Sequence, residues 1–201
     1  MGVSQVYIAN RALQKCGSSA RISALTDNSK EAKAIRACYL SLKEAELRVN
    51  EWLFAIKRAS VDRTDFGQDD DGNDIAATFN RQNAYNLPDD FLRMAPEDPK
   101  QKHSGNDWLI EGRVIYTDDD GPLKFRYVSN NVGEEMWDAM FGEVLAARIA
   151  FEICEEIAQS TTKKDDIKAD YGVQLQTARG ANAIASQPVE QDVDEWELVR
   201  L

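Results

Sequence analysis

Histidine is almost missing from this sequence: His103 is the single one in 201 residues. A Ser-His-Asp or Cys-His site would rest on that one side chain, in the polar stretch 99–106, with no third group evident to hold the base. Cysteine is scarce too. Cys16, Cys38 and Cys154 lie in helix-like apolar patterns without a CxxC spacing, so they read as reduced core residues of a cytosolic product rather than as a disulfide framework. Neither the dinucleotide-binding glycine fingerprint nor a P-loop occurs. Long apolar runs are lacking as well: the most apolar window, Val144 to Cys154, is interrupted by Arg148 and Glu152 and is too short for a bilayer. Met1 to Ala20 is amphipathic and has neither the charged start nor the unbroken apolar stretch of a secretory signal. Bases are in deficit, 24 against 35 acids, for a formal charge of -11. Nucleic-acid phosphates should be repelled, and Lys57, Arg58 and Arg63 read as cations near a helix end, not as a binding patch.

What the chain has in abundance is acid, and the acids do not arrange themselves into chemistry. Asp69, Asp70, Asp71 and Asp74 surround Gly72, yet aligning that glycine with a calcium loop puts Gly67 first and Thr78 where a bidentate glutamate belongs. Asp118, Asp119 and Asp120 before Gly121 fail in the same way, and a turn accounts for them. Carboxylate pairs for glycan cleavage have no separation or raised pKa that sequence can supply. The expectation is a protein without enzymatic activity, metal or cofactor.

Periodicity divides the chain. Val3, Val6, Tyr7, Asn10 and Leu13 predict a first helix stopped at Gly17, followed by a connector that tucks in Ile22 and Leu25. Asn28 with Glu31 predicts the cap of a second helix, whose stripe of Ala32, Ile35, Cys38, Tyr39, Leu42, Ala45, Val49 and Trp52 runs into the bulky Trp52–Ala55 cluster. An acidic loop follows from Asp65. Tyr85 and Leu87, then Phe91 and Met94, read as strands on either side of Pro88. Trp108–Thr117 and Leu123–Val128 are β-rich runs expected to pair as a hairpin around 118–122, the second with Leu123, Phe125 and Tyr127 inward and Lys124 and Arg126 wet. Met136, Met140, Val144, Ala147, Phe151 and Cys154, widened by Trp137, Phe141 and Leu145, predict a helix covered on much of its circumference. Thr162 with Asp165 predicts the cap of a last helix bearing a thinner face of Ile167, Tyr171, Leu175, Ala178 and Ala185.

The carboxy-terminal stretch from Gln187 stands apart. Pro188 interrupts any arriving helix, and Val189, Val193, Trp196 and Val199 share one helical face, with Leu198 and Leu201 beside them. Glu190, Asp192, Asp194, Glu195 and Glu197 point mainly elsewhere, against a single base, Arg200. So short a segment cannot bury Trp196, Leu198 and Leu201 within itself. It either folds back onto its own domain or docks on another protein, and the stripe with its acidic rim favours docking on a partner with a basic border.

The run Ile8-Ala-Asn-Arg-Ala-Leu-Gln-Lys-Cys-Gly17, with Ile22, Leu25 and the helix start Asp27–Ala34, resembles the opening of the tail tubular protein A-like head-to-tail adaptors of short-tailed bacteriophages. Trp52–Ala59, Tyr85–Arg93, Ile110–Val128 and Trp137–Ala146 look like that family in order, so the resemblance spans nearly the whole chain and is carried by order and spacing. It implies a structural virion protein, made in the host cytoplasm, that forms a ring, a dodecamer in that family, between the portal protein and the tail nozzle protein. DNA would pass through its channel without specific binding, and no membrane would be involved. The implied fold is mainly α: an antiparallel bundle of about four helices from residues 1–64 and 129–186, an inserted small antiparallel β-module over 65–128, and an extended or helical arm over 187–201. On that resemblance Val189, Val193, Trp196, Leu198, Val199 and Leu201 would meet the portal, and Tyr85, Phe91, Arg93, Trp108 and Tyr116 would meet the nozzle or a neighbouring subunit. Charge fits a conduit that repels phosphate, although solubility alone would also favour acid. Two other classes remain open from sequence: an acidic DNA mimic that binds a host factor, and a tail-associated glycan hydrolase.

Overall fold

A computed structural model describes residues 3–65, 70–72, 81–95 and 108–185. Four helices and six strands occur among them, in the order α1 (Gln5–Lys15), α2 (Lys30–Val49), β1 (Ile56–Val61), β2 (Asn83–Asn86), β3 (Phe91–Met94), β4 (Trp108–Glu111), β5 (Val114–Thr117), β6 (Leu123–Ser129), α3 (Ala139–Ala158) and α4 (Thr161–Ala185). Single 3-10 turns at Leu53–Ala55 and Glu134–Met136 precede β1 and α3.

The helix ends follow local hydrogen bonding. Ser4 caps α1 by accepting from the Tyr7 amide, and Gly17, at φ +80°, lets the Ser18 amide turn back to the Leu13 carbonyl. The cap of α2 is Ser29, which accepts from Ala32 N, one residue beyond the expected Asn28. Ser160 accepts from Lys163 N at the start of α4, in place of the expected Thr162 pair. Asp138 accepts from the Met140 amide at 2.6 Å and starts α3.

α3 is central, as its wide apolar face requires. It packs on α1, α2 and α4, and buries Phe141, Val144, Leu145, Ala146, Ile149, Ala150, Ile153 and Cys154. α1 contributes Ile8, Ala9, Ala12 and Leu13, and α2 contributes Ala32, Ile35, Tyr39 and Leu47. Asn10 clamps the connector, donating to the Ile22 carbonyl and accepting from the Ile22 amide, both at 2.9 Å. Lys15 ties α1 to α4 through Asp170 at 2.6 Å and to α3 through Glu143 at 3.6 Å.

The fold class corrects the sequence-based expectation. The chain is a mixed α/β protein with two three-stranded antiparallel sheets, not a mainly α bundle carrying one small β-module. The first sheet has the order β1-β6-β3 and the second β2-β5-β4. Two misread segments explain the difference. Lys57 and Arg58, read as cations at a helix end, lie in β1, which pairs along its full length with β6 from Ile56↔Val128 to Val61↔Leu123. The expected hairpin between the 108–117 run and β6 does not form. Instead Gly112, at φ +60°, folds that run on itself as β4–β5, and β6 crosses to the other sheet.

The sheets share a core of their own, built from Tyr85, Leu87, Ile115, Phe125 and Tyr127 with Phe91, Met94, Ile110 and Leu123 around it. β6 bridges the two cores because its faces alternate: Phe125 and Tyr127 enter the sheet core while Val128 enters the helical one. Its outward face is therefore wet only at Lys124, and becomes wholly buried at Val128.

Candidate functional site

Of the residues expected to meet the portal, Val189, Val193, Trp196, Leu198, Val199 and Leu201 all lie outside the described residues, as does His103. The expected nozzle-facing set is not brought together. Tyr85 is fully buried in the sheet core and its hydroxyl donates to the Asp119 carbonyl at 2.9 Å. Arg93 is occupied in capping α2: its guanidinium donates to the carbonyls of Arg48 and Asn50, the second at 3.2 Å. Phe91 is half-buried and stacks on Tyr127 with centroids 5.8 Å apart. Tyr116 is half-buried on the central strand of the second sheet. Trp108 alone is exposed, together with Leu109, on the edge strand β4. The acidic turn at 118–120 is structural: Asp118 accepts from the Gln82 amide at 3.0 Å and the Asp119 carbonyl from Asn83 Nδ2 at 3.0 Å.

A different feature emerges where the two 3-10 turns meet the end of α4. A groove of about 480 Å³ is lined by Trp52, Leu53, Phe54, Met136, Trp137, Ala178 and Ala181, together with Asp138, Asn182 and Ala185. Its floor is aromatic. Phe141 sits edge-on to Trp52 and Phe54, both at 5.1 Å between centroids, and to Trp137 at 5.6 Å. Trp52 and Trp137 are buried, whereas Met136 is 58% and Leu53 37% exposed, so the groove offers apolar surface to a guest. Met136 was expected on the buried stripe of α3. The 3-10 turn at Glu134–Met136 takes it off that helix and turns it outward.

Behind Trp52 lies a polar network centred on the buried side chains of Glu46 and Asn50. Glu46 accepts from the Tyr171 hydroxyl at 2.7 Å and from Asn50 Nδ2 at 3.1 Å, and its backbone carbonyl accepts from Trp52 Nε1 at 3.0 Å. Arg179 on α4 donates to Asn50 Oδ1 at 2.9 Å, and Asn182 accepts from the Leu53 amide at 3.2 Å while donating to the Glu51 carbonyl. Burial pushes the Glu46 carboxyl above its ordinary pKa, although Tyr171, Arg148, Arg179 and Asn50 all pull it down. The same burial, with the bond to Glu46, pushes the Tyr171 hydroxyl up to about 12. These bonds hold the end of α4 against the chain after α2 and so set the width of the groove. Sequence could not reveal this site, because its walls come from segments near 52, 137 and 181 that only folding brings together.

Among the described residues no group of three or more His, Cys, Asp or Glu is arranged to hold a metal ion, and no helix is long and apolar enough to cross a membrane. Burial raises the Cys16 thiol to about 12 and the Cys38 thiol to about 11, far from a reactive thiolate. No protein-family model matches the chain, and no curated protein matches it.

Proposed function

We propose that this chain is a structural head-to-tail adaptor of a short-tailed bacteriophage virion, which forms a ring between the portal protein and the tail nozzle protein through which DNA passes. The observation that carries the reading is the order of segments from Ile8–Gly17 through Trp52–Ala59 and Tyr85–Arg93 to Trp137–Ala146, which resembles that adaptor family along nearly the whole chain. An acidic stripe-bearing segment from Pro188 to Leu201 supports it, since it suits docking by a helix laid in a groove with a basic border. The exposed Trp108 and Leu109 on an edge strand support a contact with the nozzle or with a neighbouring copy. The role is mechanical. A formal charge of -11 per copy gives a ring that holds DNA phosphates off its wall.

The test is assembly. The purified chain is expected to be largely monomeric alone and to form rings, visible by negative-stain electron microscopy, when mixed with its portal. Deleting Pro188 to Leu201 should leave a folded monomer that no longer joins the portal. Rings assembling unchanged after that deletion would move the docking surface elsewhere, and an absence of rings with the intact chain would remove the adaptor reading.

A further inference from the structure

We propose that in the free subunit the groove between the two 3-10 turns and α4 is the seat of the chain's own carboxy-terminal segment, which is stored there in cis and released when the adaptor meets the portal. The inference rests on the adaptor reading for the release, but the seat itself is argued from this molecule. Ala185, the last described residue of α4, lines the groove. Chain continuing from it starts at the groove and bears Val189, Val193 and Trp196 at helical spacing. Pro188 has no amide hydrogen for the Ile184 carbonyl and disfavours helical backbone at Gln187, so the sequence there works against a straight continuation of α4. From Ala185 the indole of Trp196 is within about 35 Å of extended chain, or about 17 Å as helix, so a return into the groove is sterically open.

Tethering supplies the affinity. A short linker holds a segment at an effective concentration on the order of 1 mM, so an intrinsic dissociation constant of about 0.1 mM suffices to keep the groove filled about ten times more often than empty. Burying Trp196 against Met136, Leu53 and the Trp52–Trp137 floor would cover apolar surface that is otherwise wet. Charge keeps the seat weak. The segment brings five acids, and Asp138 lines the groove with Glu134 and Glu135 in the adjoining turn, so like charges face each other. A partner with a basic border offers the same acids attraction in place of repulsion and draws the segment out. Because the opposing term is repulsion between exposed charges, added salt should tighten the stored state and weaken the docked one.

Hydrogen–deuterium exchange on the full-length monomer tests this. Amides of 189–199 should exchange roughly tenfold slower than in a free peptide of that sequence, and slower still in high salt. Ala181→Glu, on an exposed face of α4, should return them to the free rate while amides in α3 keep their protection; Met136→Glu, also exposed, should do the same and serves if Ala181→Glu disturbs α3. Exchange at the free rate in the intact chain, or protection unmoved by both variants, would overturn the proposal. Protection that grows with protein concentration would overturn it in favour of a second copy as the occupant. Failure of the adaptor reading is separate: it would leave the segment protected in the monomer while the intact chain formed no rings with the portal.

Discussion

Asp90 shows how much one side chain can organise. It follows Pro88 in the turn before β3, and its carboxylate accepts from Lys57 at 2.8 Å, Tyr127 at 2.8 Å and Ser129 at 2.7 Å. Burial alone would raise its pKa, but those three bonds and the Lys57 charge outweigh burial and bring it from 3.8 down to about 2. A lowered carboxyl pKa contributes stability that is fully present above the unfolded value and lost as pH falls through the folded one. Asp90→Asn should therefore lose about 2 kcal/mol at about pH 7, and the deficit should shrink as urea unfolding is repeated from about pH 4 towards pH 2. A deficit independent of pH would show the carboxylate charge to be irrelevant. Glu46 has the opposite sign. Its raised pKa means that stability present below the ordinary carboxyl value of 4.5 is lost as pH rises through the folded value. Glu46→Gln retains an acceptor for Tyr171 and should flatten that decline; an unchanged slope between weakly acidic and neutral pH would count against it. Neither role is visible in sequence, where both residues are two acids among 35.

At the scale of elements, helices were legible and strand partners were not. α3 has an apolar period that no other structure satisfies, and Gly17 stops α1 where its left-handed backbone is needed. Trp52, Phe54 and Val49 illustrate the limit. The apolar stripe of α2 was expected to run to Trp52, but the helix ends at Val49, which is 68% exposed, while Trp52 reaches the core from extended backbone just before the 3-10 turn and half-buried Phe54 from within it. Periodicity reports which residues want burial, not the backbone that buries them. β6 makes the same point, since alternation marked its faces correctly near Phe125 but could not choose β1 and β3 over β5 as its neighbours. The turn at Gly112 made that choice. A Cβ added there meets nothing within 4 Å, so Gly112→Ala should cost only the left-handed backbone strain, about 1–2 kcal/mol, read as a lower midpoint in chemical denaturation. A smaller loss would mean that the hairpin is set by strand pairing and not by its turn.

For the whole molecule, two cores are joined through β6, and a groove lies at the end of α4. On the adaptor reading Trp196 anchors the carboxy-terminal segment in the portal. Trp196→Ala should weaken binding to purified portal by about 2 kcal/mol or more, roughly thirtyfold in dissociation constant, with the fold of the subunit unchanged. Unaltered affinity in a titration would assign the contact to other residues.

Sequence alone determined the charge balance, the four helical stripes, the strand-forming runs other than β1 and the amphipathic pattern after Pro188, because these depend on residue types at short spacings. Tertiary structure alone decided that the class is mixed α/β with two sheets, that Arg93 caps α2, that Tyr85 is sealed inside and that Met136 opens onto a groove. Each of those facts depends on contacts between segments far apart in the chain. Local propensity is silent there, and the geometry of packing determines the partner.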